Sequence, residues 1–169
     1  NNDGDDRILI DDVEVEYAID TISAEVAYTL RDEFSNQSWS NNDGNQSFLS
    51  DWMEIGEADG PTSGSTKIGL SKLVLRNKDV GVLRSADLSE AVTAQMSFEY
   101  RRINLVGGGE HVLVELSADG GSSWHELDRI EGVGSDEAAT PVSYDISAFT
   151  SALTQVRFSS NDFVKPNKI

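Results

Sequence analysis

The sequence predicts an all-β protein, a β-sandwich of the jelly-roll type with about nine strands, and three observations carry that prediction. Short runs rich in β-branched and aromatic residues alternate apolar with polar side chains at period two. Segments of Gly, Asn, Asp, Ser and Pro separate these runs at fairly regular spacing. No ten-residue window carries a convincing helical pattern, and many short strands with turn signals between them are the mark of a sandwich.

The opening strand is Arg7-Ile8-Leu9-Ile10-Asp11-Asp12-Val13-Glu14-Val15-Glu16. Its second half alternates cleanly, with carboxylates outward. Asp11 and Asp12 stand out, because Asp is disfavoured inside strands and costly to bury alone. A paired carboxylate in a strand invites a cation. Thr21 to Leu30 alternates again, as a strand or a structured linker. Asp32 to Leu49 is rich in Asn, Ser, Gln, Asp and Gly and reads as a long loop.

Asp51-Trp52-Met53-Glu54-Ile55 is a short strand, and Glu57 to Ser65 a turn region. Further strands are expected at Lys67–Arg76, Val82–Arg84, Ala94–Tyr100, His111–Ser117, Trp124–Ile130, Val142–Ile146 and Gln155–Ser159. Gly107-Gly108-Gly109 is a turn or loop tip. Asn-Asn-Asp-Gly occurs at Asn1 and at Asn41 with unlike flanks, so these are two loops of similar chemistry and not a repeat.

The chain has 169 residues, enough for one domain with a sizeable core. A formal net charge of −17 argues against nucleic acid as a partner, since phosphates require Lys and Arg. It disfavours an anionic membrane surface equally, and no apolar run is long enough for membrane insertion. Such acidity suits a protein kept soluble in salt, or one that holds divalent cations. Without cysteine there is neither a disulfide nor a thiolate metal site. The opening Asn-Asn-Asp-Gly-Asp-Asp suggests a fragment of a longer polypeptide.

Three groups of residues carry a resemblance. Ser38-Trp39-Ser40-Asn41-Asn42-Asp43-Gly44 with Asp51-Trp52-Met53-Glu54 resembles the opening of jelly-roll domains in large bacterial secreted proteins. Ala86-Asp87-Leu88-Ser89 running into Ala94–Tyr100 resembles that family's central passage. Ser117 to Trp124, Tyr144-Asp145-Ile146-Ser147-Ala148 and Val156-Arg157-Phe158 resemble its second half. The family is similar in fold to galactose-binding-like sandwiches, which include many carbohydrate-binding modules. It occurs in adhesins and as an accessory domain of surface enzymes, and no catalytic residues come with it.

The resemblance implies a place for the opening strand. Domains of this type end on a strand similar to Ile10-Asp11-Asp12-Val13, whereas here it stands first. The expected organisation is a single domain, 1–169. Residues 1–16 form the displaced closing strand, 17–31 a connecting strand or linker, 32–162 the jelly-roll body and 163–169 a tail. The closing strand would fill the last-strand slot within its own molecule or by exchange with another copy.

The resemblance also implies calcium, a hard cation that takes six to eight oxygen donors. Asp11 and Asp12 are the expected ligands, with Asp32 and Glu33 as partners; Asp43, Asp3 and Asp5 are weaker candidates. The Asx-Gly loops are better explained as turns than as metal loops.

Ser117-x-Asp119-x-Gly121-x-Ser123-Trp124 matches the aspartate-box pattern of propellers. A single copy makes Asp119, Gly121 and Trp124 structural. Trp39, with Asn41 and Asn42, is the candidate ligand contact, since an indole suits a sugar's C–H face; Trp52 is expected in the core. His111 and His125 have no metal-ligand spacing, and neither a nucleophile elbow nor a phosphate loop is present.

The expected function is therefore a non-catalytic, calcium-stabilised extracellular module for adhesion or carbohydrate recognition, working beside neighbouring domains. The alternatives are a structural spacer of an adhesin and an accessory domain of a secreted hydrolase. A spacer would lack a concave face bearing exposed aromatics near a loop cluster, and a lectin-like module would have one.

Overall fold

The computed structural model describes residues 6–22, 24–106 and 109–161. Asp3, Asp5, Gly107, Gly108 and the tail 163–169 lie outside the described residues. The architecture is a sandwich of two antiparallel sheets built from eleven strands. These are β1 (Arg7–Asp20), β2 (Glu25–Asp32), β3 (Met53–Ile55), β4 (Thr66–Ile68), β5 (Leu73–Arg76), β6 (Gly81–Ala86), β7 (Ala91–Ile103), β8 (His111–Ser117), β9 (His125–Glu131), β10 (Thr140–Asp145) and β11 (Thr154–Asn161). One sheet runs β10-β7-β1-β5-β4 with β2 also on β1, and the other runs β3-β6-β11-β8-β9.

Two differences raise the strand number above nine. The segment Thr21–Leu30 is not a linker, because its residues from Glu25 form β2, an antiparallel partner of β1 from Val13↔Asp32 to Asp20↔Glu25. The run Lys67–Arg76 is not one strand but the hairpin β4–β5. Leu70 and Ser71 both take positive φ in a two-residue turn closed by hydrogen bonds between Gly69 and Lys72. Hairpin turns of this hand are usually signalled by Asn-Gly or Asp-Gly. Leu70-Ser71 gives no such signal, which is why the sequence reads straight through it.

Strand β1 is central and pairs inside its own chain. On one side it follows β7 along almost its whole length, from Arg7↔Ile103 to Ile19↔Ala91. On the other side it changes partner: Arg7 to Ile10 pair with β5, and Val13 to Asp20 pair with β2. The change falls at Asp11-Asp12.

There the register against β7 slips from Asp11↔Glu99 to Glu14↔Ser97, so β1 carries one residue more than its partner. This is a β-bulge, and Asp12 adopts φ 53° within it. The bulge explains the composition of the strand. Ile8 and Ile10 are buried before it, and Val13 and Val15 after it, although they differ in parity. An uninterrupted strand would send one of those pairs to solvent.

The core between the sheets gathers these residues with Leu73, Leu75, Met96, Phe98, Val112, Val114, Leu116, Val156 and Phe158. Trp52 is 2% exposed and packs on Phe34, Phe48 and Phe158. The loop before it is drawn in rather than left free. Gly44 is pressed on β2 so closely that a Cβ there would collide with the Thr29 carbonyl.

Candidate binding cleft and the carboxylates of the opening strand

Tyr17 and Tyr28 occupy facing positions in the β1–β2 register. They share the inward parity of Val15 and Leu30, and Tyr17 packs against the core at its margin. Both remain half-buried, and their rings sit 5.4 Å apart at 37°. A cleft of about 600 Å³ opens over them. Its floor is Tyr17, Ile19, Tyr28 and Leu30, one wall is Gln46 to Leu49, and the other is Asp87, Ser89 and Glu90.

Backbone hydrogen bonds fix both walls. Gln46 N–H donates to the Thr29 carbonyl and Leu49 N–H to that of Ser85, so the first wall is stitched to both sheets. In the second, Ser89 donates its N–H and its hydroxyl to Asp87 Oδ1, while Leu88 N–H donates to Ser151. The Ser89 bonds hold the Asp87 carboxyl below the usual carboxylate range. The Tyr17 phenol is shifted upward, first by burial, then by Tyr28, Asp87 and Glu90. Leu49, 57% exposed, forms an apolar rim.

The carboxylates expected to share a calcium ion are distributed differently. Asp11 pairs with Lys72 through Oδ2, and its Oδ1 accepts the Asp12 N–H inside the bulge, 3.0 Å. Asp12 meets Arg31 through two hydrogen bonds, 2.5 and 3.0 Å, and Glu33 lies 3.1 Å from the same guanidinium. The Asp12 bond is the main reason the Arg31 pKa is raised.

Asp32 points the other way, into the core. Its Oδ1 accepts Phe34 N–H at 2.8 Å, and its Oδ2 accepts Trp52 Nε1–H at 2.9 Å and Arg84 at 3.0 Å. Asp43 caps Glu33 N–H. Asp11, Asp12 and Asp32 each meet a protein cation, Lys72, Arg31 and Arg84 in turn, and no group of three or more acidic, His or Cys side chains among the described residues is arranged to hold a metal.

The Asp32–Arg84 pair has no counterpart in the sequence reading. Both side chains have zero exposure, and they link β2 of one sheet to β6 of the other through the core. Arg84 also donates to the Ser50 and Asn41 carbonyls and lies 4.1 Å above the Phe48 ring. The one signal available was periodic: Arg84 shares the inward parity of Val82 and Ala86.

The other candidates serve the loops. Trp39 packs against the core, and its carbonyl accepts the Trp52 N–H. Asn41 Nδ2 donates to the Asn36 carbonyl, and Asn42 Oδ1 accepts Phe48 N–H at 2.7 Å. None of the three lines the tyrosine cleft. His111 contacts Arg129, and His125 packs on Phe149.

The aspartate box forms a tight hairpin. Asp119 accepts hydrogen bonds from the Ser117 hydroxyl and from the N–H and hydroxyl of Ser123. Gly121 has φ 88°, and Trp124 lies 3.9 Å beneath the Arg157 guanidinium. The serine bonds depress the Asp119 carboxyl to about 2. Its contribution to stability is thus present above the ordinary carboxylate range and is lost as pH falls through about 2. Carboxyl NMR titration should find that low midpoint, and Ser123→Ala should raise it; an ordinary midpoint in the unmodified protein would contradict the bonding.

No family model matches the chain, and neither a curated protein nor a solved structure matches it.

Proposed function

We propose that this domain is a non-catalytic carbohydrate-binding module, displayed outside the cell in a larger adhesin or surface enzyme. The observation that carries the reading is the cleft over Tyr17 and Tyr28. It combines an aromatic floor, walls held by the backbone and a polar rim of Gln46, Ser47, Asp87, Ser89 and Glu90. Sugars need this combination, since their C–H faces pack on rings while their hydroxyls need fixed polar partners.

Walls already stitched to both sheets keep the ordering cost of binding low. A non-catalytic role is favoured because both carboxylates come from one four-residue loop. A glycosidase pair would flank the scissile bond from two sides.

A glycan array with the intact domain and with Tyr28→Ala tests the reading. One glycan class should bind, and Tyr28→Ala should weaken it about tenfold. A parallel array with EDTA tests the expected calcium, whose candidate ligands Asp11, Asp12 and Asp32 each meet a protein cation. A structural spacer is the second reading, favoured by the interior ion pair, which joins the sheets without a ligand. It predicts a blank array.

A further inference from the structure

The rim of the cleft carries a charge pattern that narrows the ligand. Among the described residues, its lining includes two carboxylates, Asp87 and Glu90, and neither Lys, Arg nor His. Both carboxylates are exposed and line the same cleft as Tyr17. The Tyr17 and Tyr28 rings line the same cleft, 5.4 Å apart at their centroids. A cation over an aromatic face is attracted by the ring quadrupole, and an adjacent carboxylate adds a charge-assisted hydrogen bond. A uronate or sialylated glycan would bring a like charge into the same space, against a chain of net charge −17.

We infer that the cleft selects glycans bearing a free, protonated amine: N-deacetylated hexosamine oligomers. This inference rests on the carbohydrate-binding reading and specifies its ligand. The sugar ring packs on Tyr17 and Tyr28, and its ammonium group sits toward Asp87 and Glu90. Acetylation removes the charge and adds bulk on that side. The Ser89 bonds fix the Asp87 carboxylate in place, so the acidic wall is ready before the ligand arrives.

The test is calorimetry with a glucosamine hexamer, its N-acetylated counterpart, a neutral glucose hexamer and hexalysine, at mildly acidic pH. The glucosamine hexamer should bind about tenfold more tightly than the N-acetylated one, and added salt should narrow the gap. Asp87→Asn/Glu90→Gln should abolish that preference while leaving residual binding dependent on Tyr28. Both substitutions are at exposed positions, and far-ultraviolet circular dichroism verifies the fold.

Equal binding of all three glycans, still lost in Tyr28→Ala, would overturn the amine preference and leave the carbohydrate reading standing. Hexalysine binding as tightly as the glucosamine hexamer would overturn it as well, by exposing general attraction of cations. Failure of every glycan to bind would remove both.

Discussion

Arg84→Met is expected to destabilise the protein by about 3–5 kcal/mol, because it leaves the Asp32 carboxylate buried without a cation. Against a typical domain stability of roughly 5–15 kcal/mol, that is enough to bring unfolding near working temperatures. The loss should far exceed that of Arg31→Met. Arg31 is a third exposed beside Asp12, and a surface pair contributes about 0–1 kcal/mol.

Urea unfolding of Arg84→Met, Asp32→Leu and the double variant would separate the terms. The double variant should recover much of the loss, since two apolar side chains no longer bury a lone charge. A single-variant cost below about 1 kcal/mol would show that the pair does not hold the sheets together.

The same variant makes a pH prediction. Burial raises the Asp32 carboxyl, while the Phe34 N–H, Trp52 and Arg84 pull it down. A folded-state pKa above the unfolded one gives stability that is fully present below the ordinary carboxylate range. That stability is lost as pH rises through the folded value. Removing Arg84 takes away one lowering influence and extends the window upward. Arg84→Met should therefore regain stability on mild acidification, whereas Arg31→Met should not.

How far the sequence was legible differs from one residue to the next. Val13 and Val15 alternate with glutamates, so the strand and its inner face could be read directly. The double aspartate could be read only as a demand for a cation. Asp12 meets a cation nineteen residues away and Asp11 one sixty-one away, and sequence periodicity says nothing about partners that the topology brings together.

Tyr17 and Tyr28 pass as ordinary strand aromatics until the hairpin register sets them face to face. The loop residues Trp39, Asn41 and Asn42 looked available because they are polar or isolated. Arg84 stands at the end of an expected three-residue strand, where nothing in the sequence names its partner. The real strand continues to Ala86 and turns that arginine inward, over the Phe48 ring.

Deleting Asp12 is expected to preserve cooperative folding, because it removes the one residue that the bulge accommodates. With Asp12 gone, Ile8, Ile10, Val13 and Val15 fall on one face by plain alternation, and the register against β7 runs on from Asp11↔Glu99 to Glu14↔Ser97 without a slip. What is lost is the ion pair with Arg31, a surface pair worth about 0–1 kcal/mol.

Substitutions at the same position separate geometry from charge. Asp12→Gly keeps the residue count and suits φ 53°, so it should stay within about 1 kcal/mol of the unaltered protein. Asp12→Val keeps the count but forces a β-branched residue into the left-handed region, at a cost of about 1–3 kcal/mol. Near-ultraviolet circular dichroism and urea titration should place the glycine and deletion variants near the original midpoint and the valine variant below them. A deletion variant that failed to fold would mean that the sheet requires the bulge itself, because in that variant alternation alone already buries the right face of β1.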